Sequence, residues 1–570
     1  MYTGTKLIEL LEKQQQTRGQ SDLFKKGTFV IQWRAKVGSY PHPDGETMIS
    51  AGEPCGNWQH DNTKKLNVGD NCQRFPELPL NGYIPGSSIR GLVRAWAKKY
   101  PEIHQRMNEL LGYQDDEKIV PGKIEFLDAY PQEPTPLTLD IVNPQQDFQV
   151  LHKGQSKPLS FYTLGDGKQK ISVTIAIRGI VNKTTPTEVQ EVWEWVEQSL
   201  CFYGVGSRTA SGYGAIKSLS KPKLIWPSDE SVKIFDFTLY SQGCYGANQR
   251  DRDDVELRPS HWRGWLRSWV WRFLLGVMSE NNAKKTLGEL LGNIDDENGT
   301  SNKGCVRLEV IKSTTWGKSS NHQPRFYTWK GKLKIIAPKD ILNNLILPII
   351  KFAVSVGGVG RGWRRPLHIF QINNRHNAAR GCDLKLLHKA RPKPIEEPRL
   401  ISYILSPNKP ENWSNTYQKL LDTFQDHWPN RITIGANPDL QAEVFSPTTC
   451  AIFAVAGPVD NPIDESEQTW DFIRSNSETR GEGMNLIYQD KYKRKTDVGG
   501  NAGQGNAHCS WVSIRRVKVP HKTENTNCQE IVCLFMGGKS SNPNHLRSQF
   551  LKDLSQRSGA SLLFGYSPIN

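Results

Sequence analysis

The sequence lacks any pair of cysteines spaced Cys-x-x-Cys. Its ten cysteines are scattered singly along 570 residues. Neither a zinc-ribbon framework nor a disulfide-stapled secreted scaffold is encoded, and the thiols are expected to be reduced. A long uninterrupted apolar run is also missing. The greasiest stretch, ILNNLILPIIKFAVSVGGVG (341–360), contains Asn343, Asn344, Pro348 and Lys351. It predicts a buried core helix and excludes a membrane span. The opening residues, MYTGTKLIELLEKQQQ, read as a short polar helix without the apolar centre of a secretory signal. The expected location is cytoplasmic, with no membrane partner. Acidic residues are in deficit: 58 Asp and Glu against 73 Lys and Arg leave a net charge of +15. That balance says nothing about fold but favours a polyanionic partner, nucleic acid before all others.

What is present is a repeat. ELLGYQDDE (109–117) and ELLGNIDDE (289–297) differ at two positions. Upstream stand IPGSSIRGLVRAWAKKY (84–100) and LRPSHWRGWLRSWVWRFL (257–274), sharing Arg-Gly-x-x-Arg-x-Trp as Arg90, Gly91, Arg94, Trp96 and Arg263, Gly264, Arg267, Trp269. Downstream, each copy has strand-like segments, GKIEFLDAYP and ISVTIAIRG against GCVRLEVIKS and GKLKIIAP, then a helical stretch. Each ends in a glycine-rich basic loop, YGVGSRTASGYG (203–214) and GGVGRGWRRPLH (357–368). The recurrence predicts tandem α+β units with antiparallel sheets in the ferredoxin-like βαββαβ order. The expected divisions are 1–225, 226–390 and a divergent α+β region at 391–570.

In the first copy Leu92, Val93, Trp96 and Ala97 share one helical face, and Arg90, Arg94 and Lys98 another. In the second copy Trp265, Leu266, Trp269 and Val270 are expected inside, with Arg263 and Arg267 outside. Ser87 and Ser88 stand at the helix entry, where free N–H groups suit phosphate. Gly204 and Gly206, with Arg208 and Thr209, and Gly360, with Arg361, Arg364 and Arg365, give loops whose backbone and cations suit an extended phosphate chain. Neither loop has the Gly-Lys-Ser/Thr ending of a nucleotide-binding P-loop, and neither opens a helix as a dinucleotide fingerprint does.

YIPGSSIRGLVRAW followed by GVGSRTASGYG resembles the RAMP superfamily, the backbone subunits of type III CRISPR effector complexes. The first unit, also through LDIVNPQ (139–145) and KPLSFYTLGDG (157–167), is most similar to the sixth Cmr-type subunit. The second is similar to the first Cmr-type subunit, so the chain looks like a natural fusion. The resemblance implies modified ferredoxin-like units and binding of CRISPR RNA and target RNA within a ribonucleoprotein used in antiviral defence. It also implies other RAMP-type subunits and the large signalling subunit as partners. Guide phosphates would be gripped and sequence left to base pairing.

Some family members cut target RNA with an aspartate in the loop after the first strand. Here that loop (38–82) offers Asp61 first and Asp70 second as catalytic candidates for an endoribonuclease dependent on the 2′-hydroxyl. No cofactor is required for binding; a divalent ion such as magnesium would assist cleavage. His42, Cys55, His60 and Cys72 of the same loop make structural zinc a lesser expectation. A nucleic-acid-binding protein outside CRISPR systems is the remaining alternative.

Overall fold

The computed structural model describes residues 4–567 except 38, 42–47, 51–58, 61–65, 68–81, 116–117, 134, 136, 143–145, 154–158, 226–228, 242–243, 246–254, 295–300, 303, 313–317, 320–326, 373–375, 390–398, 436, 438, 459–478, 494–495, 502–507, 520–526 and 540–541. Two compact units emerge. The first comprises Met1–Asn143, Lys157–Asp229 and Tyr245–Ser260; the second comprises Pro144–Ser156, Glu230–Cys244 and His261–Asn570.

The first unit opens with α1 (Gly4–Thr17) and β1 (Phe24–Ile31). There follow α2 (Gly86–Ala97), α3 (Pro101–Leu111), β2 (Ile124–Phe126), β3 (Ile171–Gly179), α4 (Pro186–Tyr203) and β4 (Ile216–Ser218). The antiparallel sheet runs β4-β1-β3-β2, the ferredoxin-like order. Alternation in β1 and β3 places Phe29, Ile31, Val173, Ile175 and Ile177 on one face. There they meet Ile89, Val93 and Trp96 of α2 and Val189, Val192 and Val196 of α4. Helix α4 starts where Thr185 and Glu188 form a reciprocal capping box. The opposite sheet face is covered by α1, whose Ile8 packs with Phe24, Leu127 and Ala176.

The second unit repeats the plan with β5 (Glu230–Ser241), α5 (Pro259–Val277), α6 (Glu280–Leu291), β6 (Arg307–Lys312), β7 (Tyr327–Pro338), α7 (Leu347–Val356) and β8 (Asp383–Lys389). The sheet order is β6-β7-β5-β8, extended at its edge by β9 (Leu400–Ser402). Ahead of α7 lies a π-helical turn, Ile341–Ile346. Pro348 has no N–H to give the Asn344 carbonyl, and the Thr423 hydroxyl, whose nearer acceptor is Lys419 O at 2.8 Å, lies 3.4 Å from it. This stretch is buried, as its sequence predicts, and among the described residues no helix is long and apolar enough to cross a membrane.

The same unit holds a third βαββαβ element that no repeated motif announces. It comprises β10 (Cys450–Ala456), α8 (Glu482–Ile487), β11 (Val512–Val519), β12 (Asn527–Phe535), α9 (Leu546–Ser555) and β13 (Ser561–Gly565). Its order, β11-β12-β10-β13, is again ferredoxin-like.

Candidate nucleic-acid interface

The repeated nonapeptide is a helix end followed by the first strand of a hairpin. α3 ends at Gly112 (φ +75°) and α6 at Gly292 (φ +73°), left-handed positions that favour glycine. Gly112–Asp115 then pairs with Lys118–Pro121, and Asn293–Ile294 with Ser301–Asn302.

The repeated arginines serve those helix ends. Arg90 donates to the Leu111 carbonyl and Arg94 to that of Gly112. Arg263 donates to Leu291 O and, at 3.1 Å, to Val306 O, while Arg267 donates to Gly292 O at 2.6 Å. Both copies thus use the pair to satisfy carbonyls that a helix C-terminus leaves open, with positive charge at the negative end of the dipole. The expectation of an outward face is corrected for Arg263, which is buried; burial first, and then the charge of Arg267, push its guanidinium down to about 9. Arg90 is exposed and Arg94 and Arg267 are half-buried. At the α2 entry, Ser87 is exposed and Ser88 half-buried, but the Gly86 N–H already donates to Asp128 Oδ1 at 2.8 Å. That carboxylate opposes an anion there.

The first glycine loop is drawn tightly onto the segment after β1. Ser207 N–H donates to Lys36 O at 2.7 Å. A Cβ on Gly206 (φ +79°) would sit 2.2 Å from that oxygen, and one on Gly204 (φ +78°) 2.6 Å from Gly214 O. These glycines admit the protein's own backbone. What faces solvent is Gly206, Ser207 and Arg208, with Thr209 half-buried. Burial first, and the charge of Arg208 second, push the Lys36 ammonium down to about 8. Two cations are therefore held together at the loop's surface.

A buried network anchors the loop from below. The Tyr213 hydroxyl donates to Asp140 Oδ2 at 2.6 Å, and the Arg258 guanidinium reaches Asp140 Oδ1 at 2.6 Å and pairs with Glu256. Glu256 also accepts from Trp33 Nε1 at 3.2 Å and Arg34 Nε at 3.4 Å. Burial alone would raise the Asp140 carboxyl; Arg258, Arg34 and the Tyr213 hydroxyl outweigh it and hold it below the ordinary carboxylate range.

The second loop divides in two. Arg364 is buried 2.6 Å from Glu443 Oε1, with its guanidinium 4.4 Å from the Trp363 ring centre. Arg365 donates to Val512 O at 2.6 Å and Ser510 Oγ at 2.8 Å, and burial pushes it down to about 10. Arg365 thus binds the third βαββαβ element and Arg364 the Glu443 carboxylate ahead of it, uses the sequence reading did not foresee. Gly360 (φ +80°) and Arg361 remain at the surface, and a Cβ on Gly360 would meet nothing closer than His261 Nδ1 at 3.9 Å.

Asp61 and Asp70, and the possible zinc ligands His42, Cys55 and Cys72, lie outside the described residues, as does the side chain of His60. Lys36, Asp128, Asp140, Tyr213, Glu256, Arg258 and Glu443 were not singled out from the sequence. Tyr213 lies in the glycine loop, Asp140 in LDIVNPQ and Arg258 in LRPSHWRG, so these three stood inside motifs the sequence displays.

No curated protein matches the chain. Among solved structures, the "Cryo-EM structure of the Type III-B Cmr-beta bound to cognate target RNA" aligns at TM-score 0.24 and 15% identity, over 38% of this chain and 64% of that one. The "Crystal structure of Cmr6 from Pyrococcus furiosus" aligns at TM-score 0.18 and 20% identity, over 34% of this chain and 97% of that one. The match spans under two thirds of the first neighbour's length. Residues 65–217, which contain α2 to α4 and the first glycine loop, match the model of the RAMP superfamily.

Proposed function

We propose that this chain is an RNA-binding backbone subunit of a type III CRISPR ribonucleoprotein, with two subunit-like units joined in one polypeptide. The observation that carries this reading is the surface of the first glycine loop, inside the superfamily match. Lys36 and Arg208 are two cations brought to that surface by the Ser207 N–H bond to Lys36 O, beside the exposed Gly206 and Ser207. The net charge of +15 supports a polyanionic partner. Gly360 and Arg361 offer a second, smaller contact. Guide RNA would be held through phosphates, with sequence left to base pairing. The buried arginines Arg263 and Arg364 take no part; they shape the units that present the loops.

The test is purification with the neighbouring subunits of the complex, followed by sequencing of the bound RNA. Repeat-derived guides on the wild type, and loss of guide with Lys36→Met combined with Arg208→Ala, are the expected results. Undiminished guide retention in the double variant would overturn the assignment of the loop. Recovery of RNA unrelated to any guide would overturn the CRISPR reading.

A further inference from the structure

The sheets of the two units differ in what covers their outer faces. In the first, α1 precedes β1, folds back, and buries Ile8 against Phe24 at the start of that strand, with Leu11 beside it. One turn on, Glu12 pairs with Lys26 of β1 at 2.5 Å. In the second unit, no helix precedes β5 among the described residues after Ser218.

The start of β5 is apolar on the corresponding face. Phe235, Phe237 and Leu239 point into the core, so Val232 and Ile234 point away, and they are 38% and 46% exposed. Leu387 of β8 stands opposite Asp236, which shares the face of Ile234, so Leu387 lies diagonal to Ile234. Leu400 of β9, 44% exposed, stands opposite Lys389 and diagonal to Leu387. An aliphatic stripe therefore crosses three neighbouring strands. The same face carries cations: Lys389, exposed, stands opposite Leu400, and Lys334 of β7, opposite Ile234, pairs with Glu309 of β6 at 3.1 Å.

The geometry points to a docking surface for an amphipathic helix of a partner protein, bearing aliphatic side chains one turn apart and a carboxylate one turn further on. The chain supplies the template: α1 presents Ile8 and Leu11 to a sheet face and Glu12 to its lysine. A helix of this kind would cover Ile234, Leu387 and Leu400 and set its carboxylate against Lys389, as Glu12 does against Lys26. RNA is the less suitable occupant, because the stripe has no aromatic ring for a base to stack on. The inference does not depend on the RNA reading of the glycine loops.

The probe is a lactam-stapled, fluorescent peptide with the sequence of residues 4–17, titrated with the full chain and read by anisotropy. The expected result is saturable binding, at least tenfold weaker with Ile234→Asp, and about threefold weaker when the peptide carries Glu12→Lys. Leu400→Asp, at an exposed edge, repeats the measurement independently should Ile234→Asp lower the melting temperature. Failure to saturate, equal affinity for wild type and both variants, or displacement of the peptide by a single-stranded RNA oligonucleotide would each overturn the proposal.

Discussion

Replacing Arg263 by Met separates an arginine that builds the fold from one that holds RNA. The methionine keeps most of the aliphatic stem but removes both donors. The carbonyls of Leu291 and Val306 belong to buried residues and would lose their partner. Each unsatisfied carbonyl costs about 1–3 kcal/mol. Against this stands relief from burying a cation that burial has already pushed down to about 9. The expected net loss is ~2–4 kcal/mol, which lowers the melting temperature by several degrees. The assay is calorimetry of the RNA-free chain, paired with RNA affinity measured across a salt series. An arginine on a phosphate would leave the melt unchanged and reduce the salt slope by about one charge. An unchanged melt with a reduced slope would therefore refute the helix-end role. Arg90, exposed in the equivalent position, should cost under about 1 kcal/mol when replaced by Met.

Lys36→Met and Arg208→Ala should each weaken RNA binding several-fold and flatten its salt dependence. RNA affinity of the wild type should also decline as pH rises through about 8, where Lys36 loses its proton, and Lys36→Met should lack that decline. Gly206→Ala should destabilise the first unit by about 2 kcal/mol or more, because a positive φ and a clash with Lys36 O add together, whereas Gly360→Ala meets only the φ penalty of about 1 kcal/mol; equal melts for the two would refute this. His368 is buried between Pro366 O and the Tyr488 hydroxyl, each 2.9 Å away, and burial pushes it down to about 3. The unfolded chain binds the proton near pH 6.5 and the folded chain does not, so stability should fall as pH drops from about 6.5 towards 3. Denaturant titrations across that window should show a smaller fall for His368→Gln.

Local pattern was enough for much of this protein. Periodicity placed α2 and its buried face, the glycine of ELLG ended α3 and α6, and alternation marked β3 and β7. The order of these elements in two copies predicted the ferredoxin-like sheets. Each inference depends on spacing within one element, which a sequence displays directly. Pairing across the fold was not displayed. Arg90 and Arg263 look like outward cations until the next helix turns back and brings its carbonyls to them. Arg365 looks like a loop cation until β11 arrives some 150 residues later, and Arg364 until Glu443 reaches it. The Asp140, Tyr213, Glu256 and Arg258 network joins segments that share no motif. The third βαββαβ element has the topology of the other two without their Arg-Gly-x-x-Arg signature, because strand order is a matter of long-range pairing. Charge and periodicity are written along the chain; which buried group neutralises which charge is decided only when distant segments meet.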